Sequence, residues 1–209
     1  MPQGRGDPLR RHLDSSARRS SFSRELSARY SATWTGTRTY RDLAADPVPV
    51  IGEAWTEICD ALLAAGITDP AHYAGVVGTP SQKQAWAIVE PLLAELLEAD
   101  VVLIGAPMYN FSIPAALKAW IDQVTFPRMS LRPKKFVIAG ARGGTYAEGT
   151  PRAPFDHHER YLRDFVAGHY DVDDVRFVHA ELTNALVDPH LAAREGERVA
   201  SREAALAAI

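Results

Sequence analysis

Two short apolar runs, VVLIGA at 101–106 and FVIAG at 136–140, constrain the fold more than any other feature of the chain. Neither alternates with polar residues, and both are too short for a buried helix. Runs of this kind are strands covered on both faces, as in a parallel sheet. Parallel neighbours need a crossover connection, most often a helix. The intervening stretch supplies one: Pro114 suits a first helical turn, Ser112 is placed to cap it, and Leu117, Trp120, Ile121 and Val124 share a face.

The rest of the chain follows the same alternation. Phe22, Leu26, Tyr30 and Trp34 recur at the spacing of one helix face. TRTYRDL (37–43) is polar and β-prone, which suits an edge strand, and the prolines of AADPVPV (44–50) exclude a helix after it. Residues 53–65 read as a helix and 66–80 as a Gly- and Pro-rich loop. SQKQ (Ser81–Gln84) has capping-box spacing and opens a helix with Ala85, Val89, Leu92, Leu93 and Leu96 inward, kinked at Pro91. HHERYLRDFVAG (157–168) is a further helix closed by Gly168, VRFVHA (175–180) a last strand, and 189–206 a terminal helix. This alternation defines a single open, doubly wound α/β domain over 1–209, with residues 1–8 irregular. In such sheets ligands bind beyond the carboxyl ends of the strands, at the switch point.

The chain carries 23 Lys and Arg against 26 Asp and Glu, so nothing global draws it to nucleic acid or anionic lipid. Residues 1–41 are locally basic, with Arg10, Arg11, Arg18, Arg19 and Arg24 among their arginines. Without interleaved aromatics or a binding motif, they read as a solvated face and a frayed terminus. Cys59 is the sole cysteine, which excludes an intrachain disulfide or a cysteine metal cluster and fits a packed small hydrophobe. No apolar run approaches the ~20 residues that span a bilayer. Arg10-Arg11 lacks the apolar stretch of a twin-arginine signal, so the cytoplasm is the expected location. His157-His158-Glu159 lacks the spacing of a helical zinc motif and reads as a solvated helix start.

Three strand-end segments carry unusual composition. DSSARRSSFS (14–23) places Ser15, Ser16, Ser21 and Ser23 before a helix whose first amides are unpaired, an arrangement that suits a phosphate or, equally, plain capping. It has no glycine, so neither a Walker loop nor a dinucleotide fingerprint is present. PMYNF (107–111) sets a thioether, an amide and two aromatic rings at a strand end, fit for a planar ring or for simple helix packing. ARGGTY (141–146) has two glycines where the main chain either comes close to something flat or takes positive φ.

PMYNFSIPAALKAWIDQV, ARGGTY, the Asp14-Ser15-Ser16 start and TYRDLAADPVPV together resemble the FMN-dependent NADH-azoreductase family, dimeric quinone reductases once taken for acyl-carrier-protein phosphodiesterases. The resemblance implies a flavodoxin-like sheet of order 2-1-3-4-5 with helices on both faces. It implies FMN as cofactor, NADH or NADPH as donor, a quinone or azo compound as acceptor, and a homodimer. Ser16, Ser21 and Ser23 would hold the FMN phosphate, with Phe22 donating from its backbone. Pro107, Met108, Tyr109, Asn110 and Phe111 would line the ring, and Ala141, Arg142, Gly143, Gly144 and Tyr146 would wrap the other side. No side chain is required as acid or base, Asn110 and Tyr146 being nearest to such a role. His169 and Tyr170 would face the neighbouring subunit's flavin.

Two stretches depart from the family's pattern. The first strand reads LRRHL (9–13), which would carry Arg10, Arg11 and His12 into a buried sheet, so that either the strand is short and displaced, or the charges find partners, or the start is disordered. Val124–Lys135 is shorter than the family's excursion there, which implies a more open site or a different acceptor. The competing readings are a specialised reductase of a quinone-like biosynthetic intermediate, and a flavodoxin-like binding protein that has lost tight FMN binding. A hydrolase ranks last, for want of a Ser-His-Asp or Cys-His arrangement.

Overall fold

The computed structural model describes residues 8–209, so the expectation for the first residues lies largely outside what is described. Five strands, β1 (Leu9–Asp14), β2 (Thr37–Asp42), β3 (Val101–Pro107), β4 (Lys135–Ala141) and β5 (Val175–Ala180), form one sheet. Every pairing is parallel and the order is β2-β1-β3-β4-β5, as the resemblance implies. The polar strand β2 lies at the edge, and the two apolar runs occupy the interior as β3 and β4.

Helices cover both faces. On one, α1 (Phe22–Ala32) packs on β3 and β4, and α6 (Glu195–Ala207) packs on β5. On the other lie α2 (Glu53–Ala65), α3 (Pro80–Glu98), α4 (Ala115–Val124) and α5 (Glu159–Tyr170). Their core joins Leu13, Val102, Ile104, Phe136 and Ile138 of the sheet to Ile58, Leu92, Leu96, Trp120 and Phe165. Cys59 sits in this core, and burial pushes its thiol up to about 12, which removes it as a nucleophile at neutral pH.

Several helix ends differ from expectation. The capping box of α3 is Thr79 with Gln82 rather than Ser81 with Gln84, because Pro80 supplies the first helical residue. The helix then runs through Pro91 to Glu98 without interruption. Pro114 is the N-cap of α4, while Ser112 spends both its main-chain groups on Tyr109. Helix α5 continues past Gly168 to a left-handed Asp171 because Tyr170 is drawn fully into the core, its hydroxyl 2.8 Å from that of Thr125. Tyr170 is thereby unable to face a neighbouring subunit's ring. The terminal helix begins at Glu195, after a 3₁₀ segment at Pro189–Arg194.

The charged residues of β1 do enter the sheet, and each finds partners. Arg10 and Arg11 are only 3% and 2% exposed, so these two are not the solvated arginines the local charge suggests. Arg10 lies against the rings of Tyr30 and Trp34, at 4.6 and 4.2 Å, and donates to the Tyr30 carbonyl. Arg11, one pleat over, reaches Glu95 of α3, which Arg41 also contacts at 3.2 Å. Burial holds both guanidinium groups below their usual basicity, more weakly opposed by Tyr30 and Glu95. Glu95→Gln is expected to cost about 2 kcal/mol of unfolding free energy, since it strands a buried cation; the partial exposure of Glu95 keeps the cost below that of a fully buried pair. Urea denaturation at neutral pH measures it.

Candidate active site at the ends of the strands

The carboxyl ends of β1, β3 and β4 open onto one cavity of about 450 Å³. It falls within the usual range for a small-molecule site, ~300–1,000 Å³. All three segments singled out in the sequence meet here. The first contributes Ser16, Ser21 and Phe22; the second Pro107, Met108, Tyr109, Asn110 and Phe111; the third Ala141, Gly143, Gly144 and Tyr146. Ser23 and Arg142 do not line it. The Ser23 side chain is buried 3.1 Å from the Ser21 hydroxyl, and Arg142 points into a buried cluster of carboxylates.

The serine segment is held in place from beneath. Asp14, at the tip of β1, accepts from Ser27 (2.7 Å) and Tyr40 (3.2 Å). A side chain at Gly105 on the adjacent strand would stand 2.0 Å from that carboxylate, so only glycine fits there. Arg24 donates to Asp42 and to the Ser16 carbonyl, both at 2.7 Å, tying the segment to the edge strand. From across the cavity the Tyr109 hydroxyl receives the Ala17 amide at 3.2 Å. Ser21 is the N-cap of α1, accepting from the Arg24 amide. Among the described residues, the amides of Phe22 and Ser23 have no acceptor. They are unpaired donors at the positive end of a helix dipole.

Tyr109 and Ser112 exchange two main-chain hydrogen bonds of 2.9 Å around Asn110 and Phe111, which both take positive φ, 49° and 69°. That is the signature of a type I′ turn, costly for a residue such as phenylalanine. The amides of Asn110 and Phe111 are left without an acceptor in the described chain. Strain and free donors coincide at the strand end, which is where such strain is commonly kept.

Of the two expected uses of the glycines in the third segment, positive φ is not found at Gly143 or Gly144. They make room instead. A Cβ on Gly143 would meet the Asn184 side chain at 2.6 Å, and one on Gly144 would meet the Arg152 guanidinium at 3.1 Å. The loop after β5 zips against this segment, Leu182, Thr183 and Asn184 donating their amides to Gly144, Arg142 and Gly143. Beneath the zip, Glu181 accepts from the Tyr146 amide (3.0 Å) and the Thr145 hydroxyl (2.7 Å). Arg142 joins Glu181 (3.3 Å) to Asp156 (2.9 Å) and Glu159 (3.1 Å). Glu159 is pulled down to about 2, chiefly by its hydrogen bond from His179, with Arg163 and Arg142 adding to it.

Sequence reasoning missed Arg18, Ser20, Arg152, Thr183, Asn184, Leu186 and Val187 in this lining. The last four follow β5, and the rule that led to the other three strand ends applies equally to that one. His157-His158-Glu159 holds no metal arrangement, and no cluster of His, Cys, Asp or Glu among the described residues suits an ion. His158 is buried rather than solvated, 5.7 Å from the His179 ring. Nothing of 124–135 lines the cavity, and Phe126, Met129 and Leu131 pack in the core.

The all-parallel order and the crevice at the switch point define an open α/β protein of flavodoxin-like architecture. Residues 11–204 match the family described as flavodoxin-like fold, and the chain belongs to that family. Its relatives include the FMN-dependent NADH:quinone oxidoreductase of Nocardia farcinica, 63% identical over 95% of this chain and 94% of that protein. The enzyme of the same name from Streptomyces avermitilis is 38% identical over 85% of this chain and 82% of its own length. In fold, the chain matches an azoreductase from Bacillus anthracis with a TM-score of 0.72 at 22% identity, over 96% of this chain and 98% of that one. It also matches an FMN-dependent NADH-azoreductase from Bacillus anthracis solved with FMN, with a TM-score of 0.69 at 18% identity, over 95% of this chain and 97% of that one. No helix of the described residues is long and apolar enough to cross a membrane.

Proposed function

We propose that this protein is an FMN-dependent oxidoreductase that carries two electrons from NADH to a quinone or azo acceptor in a ping-pong cycle. The observation that carries it is that the amides of Phe22, Ser23, Asn110, Phe111, Gly143 and Gly144, on and beside one cavity, have no acceptor among the described residues. They fit FMN: hydroxyls and helix amides at one end for a phosphate, an aromatic and amide-rich wall at the other for a polar planar ring. The chemistry supplied by bound FMN is two-electron carriage, NADH + H⁺ + quinone → NAD⁺ + hydroquinone, so no side chain needs to act as nucleophile.

The chain's own residues bind and orient. Ser16 and Ser21 offer hydroxyls to the phosphate, and Phe22 and Ser23 offer amides. Ser23 takes part through its main chain, since its side chain is fully buried and does not line the cavity, whereas that of Ser21 does. Met108, Tyr109, Asn110 and Phe111 form one wall, Gly143, Gly144 and Tyr146 the other, and Arg142 steadies the second wall from behind. Amides aimed at a ring stabilise negative charge that grows on it during reduction. The homodimer remains part of this reading: Leu186 and Val187 are exposed at the rim, apolar surface that a second copy would cover. The basic first strand does not argue against cofactor binding, since its charges are paired below the site.

Purified protein titrated with FMN is expected to quench flavin fluorescence in a saturable way. The resulting yellow complex is expected to bleach under anaerobic NADH and recover on addition of a quinone. Absence of saturable binding would favour a protein of this fold that has lost its cofactor.

A further inference from the structure

We propose that Arg152 selects acceptors that carry an anionic group, so that planar aromatic sulfonates or carboxylates are preferred over their neutral counterparts. The inference rests on the reading of the site as an FMN oxidoreductase. Arg152 lines the cavity from the side of Gly144, remote in sequence from the serine segment. Its guanidinium approaches the main chain of Gly144 so closely that a Cβ there would stand 3.1 Å from Nη1. Arg142, ten positions earlier, is saturated by three carboxylates. Arg152, by contrast, has no ion pair among the described residues. Asp188, the carboxylate of the adjoining hollow, accepts the His190 amide instead, at 2.9 Å.

The segment that carries Arg152 is held at its far end. Phe155 stacks on Phe111 with ring centroids 5.5 Å apart, and Phe111 meets Tyr146 edge-on at 6.4 Å. Asp156 takes the Arg142 guanidinium and caps the start of α5 through the amides of His158 and Glu159. A guanidinium without an ion pair among the described residues therefore lines the same cavity as the rings of Phe111 and Tyr146, with Phe155 stacked behind Phe111, on a segment fixed by that stacking and by a buried ion pair. A flat ring bearing a sulfonate or carboxylate matches both parts, the ring against the aromatic wall and the anion against the planar fork. Arg18 lies with Ser16 and Ser20 on the serine side, where the cofactor phosphate would occupy it.

The test compares wild type, Arg152→Gln and Arg152→Lys, each loaded with FMN. The first measurement is the ratio of kcat/KM for 1,4-naphthoquinone-2-sulfonate to that for 1,4-naphthoquinone. The second is equilibrium binding of 2-naphthalenesulfonate and of neutral 2-naphthalenesulfonamide, followed by perturbation of the flavin absorbance. Arg152→Gln is expected to lower the ratio and the relative affinity for the sulfonate by about tenfold, and Arg152→Lys to restore part of each. Raised salt is expected to narrow the wild-type preference. An unchanged ratio in Arg152→Gln with FMN still bound overturns the assignment and leaves the oxidoreductase reading intact. A rise in the KM for NADH that is equal with both acceptors overturns it too, by giving Arg152 to the donor's phosphates. Failure of the wild type to take up FMN overturns the oxidoreductase reading itself.

Discussion

Arg142→Met is expected to lower the unfolding free energy by about 3–5 kcal/mol, the usual cost of removing one partner from a buried ion cluster. Arg142 is 4% exposed, and its three partners Asp156, Glu159 and Glu181 are themselves mostly buried. Without the guanidinium, three carboxylates remain close together in a medium that solvates them poorly. Glu159 keeps His179 and Arg163, but Asp156 and Glu181 have no other ion pair among the described residues. The loss reaches the cavity through Glu181, which holds the Tyr146 amide and the Thr145 hydroxyl. Affinity for FMN is therefore expected to fall together with stability. Arg142→Lys is expected to recover only part of both, because a single ammonium cannot bridge three carboxylates as a planar fork does. Urea titrations with and without FMN measure the two effects. An Arg142→Met protein within about 1 kcal/mol of wild type would show the cluster to be dispensable.

The second large effect concerns acid. Burial, with help from His179 and Arg142, pushes His158 down to about 3, outweighing the pull of the Ala106 carbonyl and of Glu159 on its protonated form. His179 is lowered as well, by burial first, against the hydrogen bond to Glu159. A histidine held neutral in the native state takes up a proton on unfolding wherever the pH lies between its native and unfolded values. Its contribution is complete above the unfolded value, about 6.5, and is lost as pH falls toward the native one. His158 alone is thus expected to tilt stability downward by ~1.4 kcal/mol per pH unit across that window, several kcal/mol in all. Glu159, depressed to about 2, adds a loss in the same sense at lower pH as the unfolded chain binds its proton first. His158→Leu is expected to flatten the profile between pH 6 and 4 by about one proton, read as the pH dependence of the urea midpoint. A slope identical to wild type would show that His158 is already free to protonate in the native state. Carbon-13 shifts of the His158 ring, expected to report a neutral imidazole at pH 5, check the same point without a mutation.

How much of this was legible in the chain varies with the range of the interaction involved. The strands β3 and β4 are continuous apolar runs, and their parallel pairing follows from two-sided burial. The edge position of β2 follows from its polar composition in the same local way. The segments at 14–23, 107–111 and 141–146 could be located because each directly follows a strand. Exact caps were less legible: Thr79 displaced Ser81 because of one proline, and Asp171 displaced Gly168 because Tyr170 packs inward. Charge composition alone misled on the basic N-terminal region, where it counts Arg10 and Arg11 toward a solvated face, while their place in the first strand had already implied the burial that is found. Their partners, Trp34 and Glu95, belong to elements that only the folded sheet brings alongside.

Hydrophobic periodicity and strand-end position are properties of neighbouring residues, so the α/β architecture and three walls of the cavity were determined by the sequence itself, while the strand order came only from the resemblance to a known family. The pairing of buried charge was decided by tertiary structure alone, as were the fourth wall from the loop after β5 and the placing of Arg152 beside Gly144. A charge or a glycine carries no record in its own neighbourhood of which distant side chain will lie against it, and in this protein those distant contacts set what the cavity can hold.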